Sequence, residues 1–402
     1  MDTDVIIVGG GLNGPALALA LAQGGLRVTV VDARAVQLRA EAGFDGRAYA
    51  LAIASKRLLA AIGVWGRVAD LCQPILKIVA SDGRAGQGAA AFFLTFDHAE
   101  IEEGPMGFML EDRFLFVALQ VAMAEAGVTV LAGETVVAQG VGSVTLASGA
   151  VLSAKLVVGC DGRGSGVAAR AEIKRAGWGY GQTALVTAVS HELPHQGVAQ
   201  QFFMPGGPLA ILPLPGGHLS SIVWSEAEAV AAEIQALPDA DYLAALRPRF
   251  GDFLGEIALA GVRFAYPLSL SLAEQFVGSR VALVGDAAHG VHPLAGQGLN
   301  LGLRDVGALA EVLVLAARRG EDIGAADVLA RYQSWRRFDV TAMALGMDGV
   351  NRLFSNDNPV LRGVRDLGLG MVNAVPGLRR GFIRQAAGLT GDVPRLLQGV
   401  AI

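Results

Sequence analysis

Two short stretches of this 402-residue chain combine residue types at spacings suited to a phosphate-bearing ligand. In Gly9-Gly10-Gly11-Leu12-Asn13-Gly14 a G-x-G-x-x-G follows directly on the apolar run Val5-Ile6-Ile7-Val8. At that spacing Gly9 permits a tight turn, Gly11 lets a pyrophosphate approach the backbone, and Gly14 allows the next helix to pack closely. The Ala/Leu-rich segment from Pro15 to Gln23 reads as that helix, whose N-terminus offers free N–H groups and the positive end of its dipole. Asp32 closes the following apolar run about 20 residues on, where a carboxylate can accept hydrogen bonds from a ribose diol, and Arg34 follows it. A bare glycine turn explains the glycines alone; with the strand, the helix and the acid added, the pattern predicts a dinucleotide site.

The second stretch is Gly285-Asp286-Ala287-Ala288-His289, which follows the apolar run Arg280 to Val284. It leads through His292-Pro293-Leu294-Ala295 into Gly296-Gln297-Gly298-Leu299-Asn300 and a long helical segment to about 319. This order places a carboxylate and a helix N-terminus at the same end of a sheet, which suits a ligand with both a polyol and an anionic centre. Flavin has both. Asp286 is expected to hold a ribityl hydroxyl, and the N–H groups of Gly298, Leu299 and Asn300 to stabilise negative charge at N1/O2 of reduced flavin. Gly285, Gly296, Gln297 and Pro293 belong to the same loop and are expected at the cofactor.

The elements that must position these residues are readable in outline. The first 32 residues read β-α-β, and Lys155 to Gly159 and Arg280 to Val284 read as further buried strands of the same sheet. Residues 48–62 and 112–126 carry helical periodicity. From about 175 to 270 strand-like runs (Thr183 to Val189, Leu209 to Leu214, Leu219 to Trp224) alternate with Pro/Gly turns, with one helical stretch near 226–248. Residues 321–402 look helical. The expected fold is α/β: a Rossmann-type domain from 1–75, 105–175 and 271–350, an inserted mainly β-sheet domain from 76–104 and 176–270, and a C-terminal helical region, 351–402.

Composition narrows the partners. Hydrophobic residues make up 52% of the chain and charged residues 17%, with a mean hydropathy of +0.46, so apolar surface must be buried in a core, a substrate tunnel, an oligomer interface or against a membrane. The net charge of −5 and the lack of basic runs exclude nucleic acid as a partner. Two cysteines, Cys72 and Cys160, and six scattered histidines indicate neither a disulfide framework nor a metal site. A cytoplasmic protein, neither exported nor membrane-spanning, is expected. Residues 351–402 hold seven Arg against three Asp, among them Arg362, Arg365, Arg379, Arg380 and Arg384. That excess of +4 suits either peripheral contact with the inner face of an anionic membrane or a solvated helix packed on the first domain.

Gly9 to Gly14, Cys160-Asp161-Gly162 and Gly285 to Asn300 resemble the three fingerprints of the single-component FAD-dependent aromatic hydroxylases. Phe44-Asp45-Gly46-Arg47-Ala48, Gly207-Pro208-Leu209-Ala210, Tyr266-Pro267-Leu268 and His292 to Asp305 resemble the ubiquinone-biosynthesis branch, the 2-polyprenyl-6-methoxyphenol hydroxylases. The resemblance spans essentially the whole chain. It implies a monooxygenase in which NAD(P)H reduces FAD, O2 adds at flavin C4a, and the hydroperoxide hydroxylates a prenylated phenol, within or beside a quinone-biosynthesis complex. A hydroxylase of small soluble aromatics and a non-catalytic flavoprotein or lipid-binding member of such a complex share the glycine motifs and stand as alternatives.

By matched position, Arg47 is implied near the pyrophosphate and nicotinamide path, Arg113 at the ribityl or phosphate, Val136 at adenine, and Asp161 at the dinucleotide. The chain departs from many relatives in carrying Ala168 where they place an arginine; Arg170 is the nearest. The Pro293 carbonyl is implied beside the peroxide. His292 is either an aid to phenol deprotonation or a structural histidine. Phe203, Leu212 and Trp224 are the candidates for an apolar substrate wall.

Overall fold

The computed structural model describes residues 3–35, 47–84, 88–292, 296–355 and 375–402. Val5–Val8 lies inside a six-stranded sheet whose strands run in the order Val277–Gly278, Val281–Leu283, Leu156–Gly159, Val5–Val8, Val28–Asp32, Thr129–Ala132. All neighbours are parallel except the 277–278 edge. Parallel strands are covered on both faces, which is why these runs are continuously apolar rather than alternating. In chain order the helices are α1 (Asn13–Gln23), α2 (Ile53–Ala61), α3 (Asp112–Glu125), α4 (Gly166–Arg170), α5 (Glu228–Ala236), α6 (Asp239–Phe250), α7 (Gln297–Arg318), α8 (Ala326–Phe354), α9 (Pro376–Ala386) and α10 (Arg395–Gln398).

The long strand Arg175–His191 anchors a second, largely antiparallel sheet. It pairs with Phe264–Ala273 on one side and Leu219–Ala227 on the other, and the sheet continues through Gly207–Leu214, Val198–Met204, Lys77–Arg84 and Gly88–Asp97. One face buries Leu185, Trp224, Tyr242, Leu246 and Phe250 against α5 and α6. The strands of this sheet come from both 77–97 and 175–290, so two separated stretches of chain build one surface.

Two sequence expectations change. Residues 48–51 are not the start of a helix: Ala48–Leu51 pairs as a strand with Gly107–Glu111, and α2 begins only at Ile53. Helical propensity there yields to a tertiary partner. The helical stretch near 226–248 is two helices, because Leu237 and Pro238 interrupt it with extended backbone.

The end of the chain is bound into the body. Leu396 and Leu397 of α10 lie in the same core as α1 and α7, Trp335 donates to the Asp392 carbonyl and Arg304 to that of Thr390. Helix α8 spans both sheets. Its first half bonds the six-stranded sheet through Tyr332 Oη and the Leu283 carbonyl (2.8 Å); its last residue, Phe354, packs on Phe203 of the second sheet with ring centroids 4.3 Å apart.

Candidate functional site: a two-walled cavity

The carboxyl ends of four parallel strands deliver Val8, Asp32, Cys160 and Val284 to one cavity of about 1400 Å³. That exceeds the roughly 300–1,000 Å³ of a pocket for one small ligand. Its first wall is made of turns. Gly9 has φ +115°, and a Cβ there would collide with the Cys160 carbonyl; at Gly14 it would collide with the Gly9 carbonyl. Gly11 has nothing within 4 Å of a Cβ position, so the backbone there is open to a ligand. Asp32 ties the turn to its strand by accepting from Gly10 N (2.5 Å) and Arg34 N (2.7 Å). Asn13 also lines the cavity, while its carboxamide packs beside Gly285 and Gly302 and keeps a buried Oδ1 with no hydrogen-bond partner among the described residues.

The Asp286 loop is pinned from behind. Gly285, at φ +63°, donates its N–H to Asp305 Oδ2 (3.0 Å). Asp305, fully buried on α7, also takes His289 Nε2 (2.5 Å) and Arg336 Nε (2.8 Å). Arg336 in turn donates to Asp339 (2.6 Å). Burial pushes the Asp305 carboxyl up, but His289 and Arg336 outweigh it and hold it below the usual carboxylate range. On the other side Arg175 donates to the Asp286 carbonyl (3.1 Å) and contacts that of Ala287. Arg163 reaches the Asp286 carboxylate itself at 3.4 Å. A loop with its backbone fixed at both ends presents Asp286 without reorganisation when a ligand arrives.

The predicted residues divide clearly. Gly9, Gly11, Leu12, Asn13, Asp32, Arg34, Arg47, Val136, Asp161, Asp286, Gly296, Gly298 and Leu299 line the cavity. Gly14 and Gly285 shape it without lining it. The Asn300 side chain faces the other way, accepting from Ala52 N (2.9 Å) and Ser55 Oγ (2.7 Å), and so clamps the first turn of α7 to α2. Gln297 bonds the Ala386 carbonyl at 3.5 Å instead of lining the cavity. Asp161 spends both carboxylate oxygens on α4, accepting from Ser165 Oγ and Val167 N. Ala168 is buried, while Arg170 lines the cavity.

Arg113 is displaced from its expected place: it pairs with Glu111 at 2.7 Å and lines a separate shallow cleft with Arg67 and Phe114. Pro293 lies outside the described residues, as do Phe44 to Gly46, Arg362 and Arg365. His292 is 1% exposed and absent from the cavity lining; its ring meets Tyr180 edge-on at 5.2 Å. Burial, aided by Arg163, pushes its pKa down to about 4, so it is neutral near pH 7.

The second wall is the sheet. Ile78, Ala80, Leu94, Phe96, Ala199, Phe203, Ala210, Leu212 and Val223 face the cavity. Of the three residues expected on an apolar wall, Phe203 and Leu212 line the cavity and Trp224 does not. The two-residue alternation of the strand puts Val223 on the cavity face and Trp224 on the opposite face, against Tyr242. Sequence reading also missed the rim, Val350 and Leu353 of α8 with Phe382, Ile383 and Ala386 of α9. Their only sequence signal is apolar residues at helical spacing, which any packed helix shares.

Residues 2–344 match the family model described as an FAD binding domain. The chain is 45% identical to "Ubiquinone hydroxylase UbiL" of Rhodospirillum rubrum, over 99% of this chain and 93% of that protein. It is 37% identical to "3-demethoxyubiquinol 3-hydroxylase" of Escherichia coli, over 96% and 99%. The crystal structure of p-nitrophenol 4-monooxygenase PnpA from Pseudomonas putida superposes with a TM-score of 0.79 at 20% identity, covering 97% of this chain and 98% of that one, a likeness of fold. The open backbone at Gly11 and the two carboxylates at strand ends fit the phosphates and polyols of that cofactor. The chain belongs to the FAD-binding family of aromatic monooxygenases, and FAD is its cofactor.

Proposed function

We propose that this enzyme hydroxylates the ring of an uncharged polyprenyl-phenol precursor of ubiquinone, with NAD(P)H as reductant and O2 as the source of the oxygen atom. The observation that carries the reading is the chemistry of the sheet wall. Among the described residues, every charged side chain lining the cavity comes from the cofactor side (Asp32, Arg34, Arg47, Glu134, Asp161, Arg163, Arg170, Asp286), and the lining strands of the sheet contribute none. A ring bearing a carboxylate would meet no cation on that wall, whereas a neutral ring with a long isoprenoid tail buries apolar area against it.

Bound FAD supplies the redox chemistry, taking electrons from NAD(P)H and activating O2 for transfer of one oxygen atom. The chain's own residues position and shield. The Gly9–Gly14 turn holds the pyrophosphate, Asp32 the ribose and Asp286 the ribityl chain. The N–H groups at the start of α7 face negative charge on the reduced ring, where a helix N-terminus is most stabilising. The apolar wall keeps water from the reacting atoms. Burial and low basicity argue for the structural reading of His292, so phenol activation does not depend on it.

The tail leaves between α8 and α9, where Val350, Leu353 and Phe382 both line the cavity and are exposed. The same rim carries exposed Val375 and Leu378, an apolar margin suited to a bilayer surface. Among the described residues no helix is long and apolar enough to cross a membrane. The basis of this contact is apolar more than electrostatic, since Arg379 pairs with Glu100 and Arg384 with Glu103.

Two measurements test these statements. Purified enzyme should couple NAD(P)H oxidation to ring hydroxylation of a prenylated phenol and leave hydroxybenzoates unchanged; coupled turnover of the acids alone would sink the substrate reading. Phe382→Asp with Leu378→Asp should lower co-sedimentation with anionic liposomes, and unchanged binding would remove the membrane contact. Point variants are needed because truncation at 360 would also strip Leu396 and Leu397 from the core.

A further inference from the structure

We propose that Gln201 reads an oxygen substituent of the substrate ring and so sets which phenol is accepted; the inference rests on the substrate reading above. Strand Val198–Met204 alternates, sending Phe202 and Met204 into the core under α5 and α6 and turning Ala199, Gln201 and Phe203 to the cavity. Gln201 stands in register between Ala80 and Ala210. Beyond these two lie Leu94 and Val223. Its row is otherwise apolar and flanks it with alanine on both sides; the adjoining Gln200 also touches the cavity but belongs to the opposite parity of the strand, in register with Ile211 and Val79.

The Gln201 carboxamide makes no hydrogen bond with any described residue, and the contrast with Gln182 on the same sheet is informative. Gln182 donates to the Gly206 carbonyl (2.9 Å) and accepts from Asn351 (3.0 Å), so its polar atoms are used by the fold. Those of Gln201 are not. In the open cavity water can satisfy them; once an apolar ligand displaces that water, an unmatched amide is unfavourable, and only a ligand carrying its own oxygen at that point repairs the loss. The flanking alanines leave the space in which a ring edge can approach. An amide both donates and accepts, so it can match a phenol hydroxyl or a neighbouring alkoxy oxygen, but it supplies no charge for a carboxylate.

The test uses the FAD-loaded enzyme, a short-chain prenylated phenol and the same molecule without the ring oxygens, with binding read from perturbation of the flavin absorbance. Wild type should prefer the phenol by roughly tenfold or more. Gln201→Leu should lose most of that preference while binding the oxygen-free analogue within about twofold of wild type. It should also release more hydrogen peroxide per NAD(P)H consumed in the presence of the phenol. Gln201→Met, of similar length, serves the same purpose should the leucine variant fold poorly. Variants that keep the wild-type preference, or a wild type that shows none, would overturn the role of Gln201 alone. A wild type that binds neither prenylated ligand would overturn the substrate reading along with it.

Discussion

The two walls of the cavity are built on opposite principles. The cofactor wall consists of turns and strand ends whose polar groups are fixed by neighbours: Asp32 by Gly10 and Arg34, and the Asp286 loop by Asp305 and Arg175. The sheet wall consists of side chains on regular strands, shaped by alternation and size and, among its lining residues, polar only at its glutamines. The first wall must hold charge and polyol in one geometry, which needs prepaid orientation. The second must accept a greasy ring and tail, which needs area and shape.

If that contrast is right, damage behind the cofactor wall should have the largest effect. Asp305→Ala leaves Arg336 buried with only Asp339 as a charged partner and frees the Gly285 N–H; removing one member of a buried pair costs about 3–5 kcal/mol. Chemical denaturation should show that loss, together with weakened FAD retention. An unchanged denaturation midpoint would mean the loop does not depend on its buried support.

His292 sharpens the comparison through pH. Its folded pKa of about 4 lies below the ordinary 6.5, so the unfolded chain binds more protons between those values. Stability is therefore full above about 6.5 and falls as the pH drops toward 4, by about 3 kcal/mol at most. His191 and His195, also pushed down by burial, add to the same slope. His292→Leu should flatten part of the stability profile between pH 6.5 and 4 while leaving hydroxylation at pH 7.5 in place; loss of turnover there would restore a chemical role.

Asp286→Ala removes a contact made at the cavity surface, so the fold should survive while FAD affinity drops by roughly 10- to 100-fold, the range for a hydrogen bond to a charged group. Retention of stoichiometric FAD after dialysis would contradict the placement of that carboxylate. On the other wall Phe203→Leu trims apolar area, including part of the contact with Phe354. It should raise KM for a prenylated phenol about fivefold, near 1 kcal/mol, with FAD affinity unchanged. A change in FAD affinity instead would mean that the walls are not separable.

Much of the cofactor wall was legible because backbone chemistry leaves a signature in residue type. Gly9 and Gly14 admit no side chain, and Asp32 and Asp286 end apolar runs, so composition and spacing alone point to them. The sheet wall was legible only by halves. Phe203 and Trp224 look alike as aromatics on strands, yet one faces the cavity and the other the core. The backbone N–H of Asn300 belongs to the first turn of α7 while its side chain clamps that helix to α2, and Arg113 pairs with Glu111 and does not line the cavity. For Asn300 the partners that decide which way the side chain points lie far off in sequence, whereas for Arg113 the partner is two residues away.

The sequence by itself pointed to FAD and to the turns that line one wall of the cavity, because those turns are local and their glycines and carboxylates have few other uses. Only the tertiary structure decided which face of each strand lines the cavity, that residues of α8 and α9 join its rim, and that Asp305 holds the Asp286 loop from behind. Those facts depend on register and on contacts between residues far apart in the chain, and no local pattern encodes them.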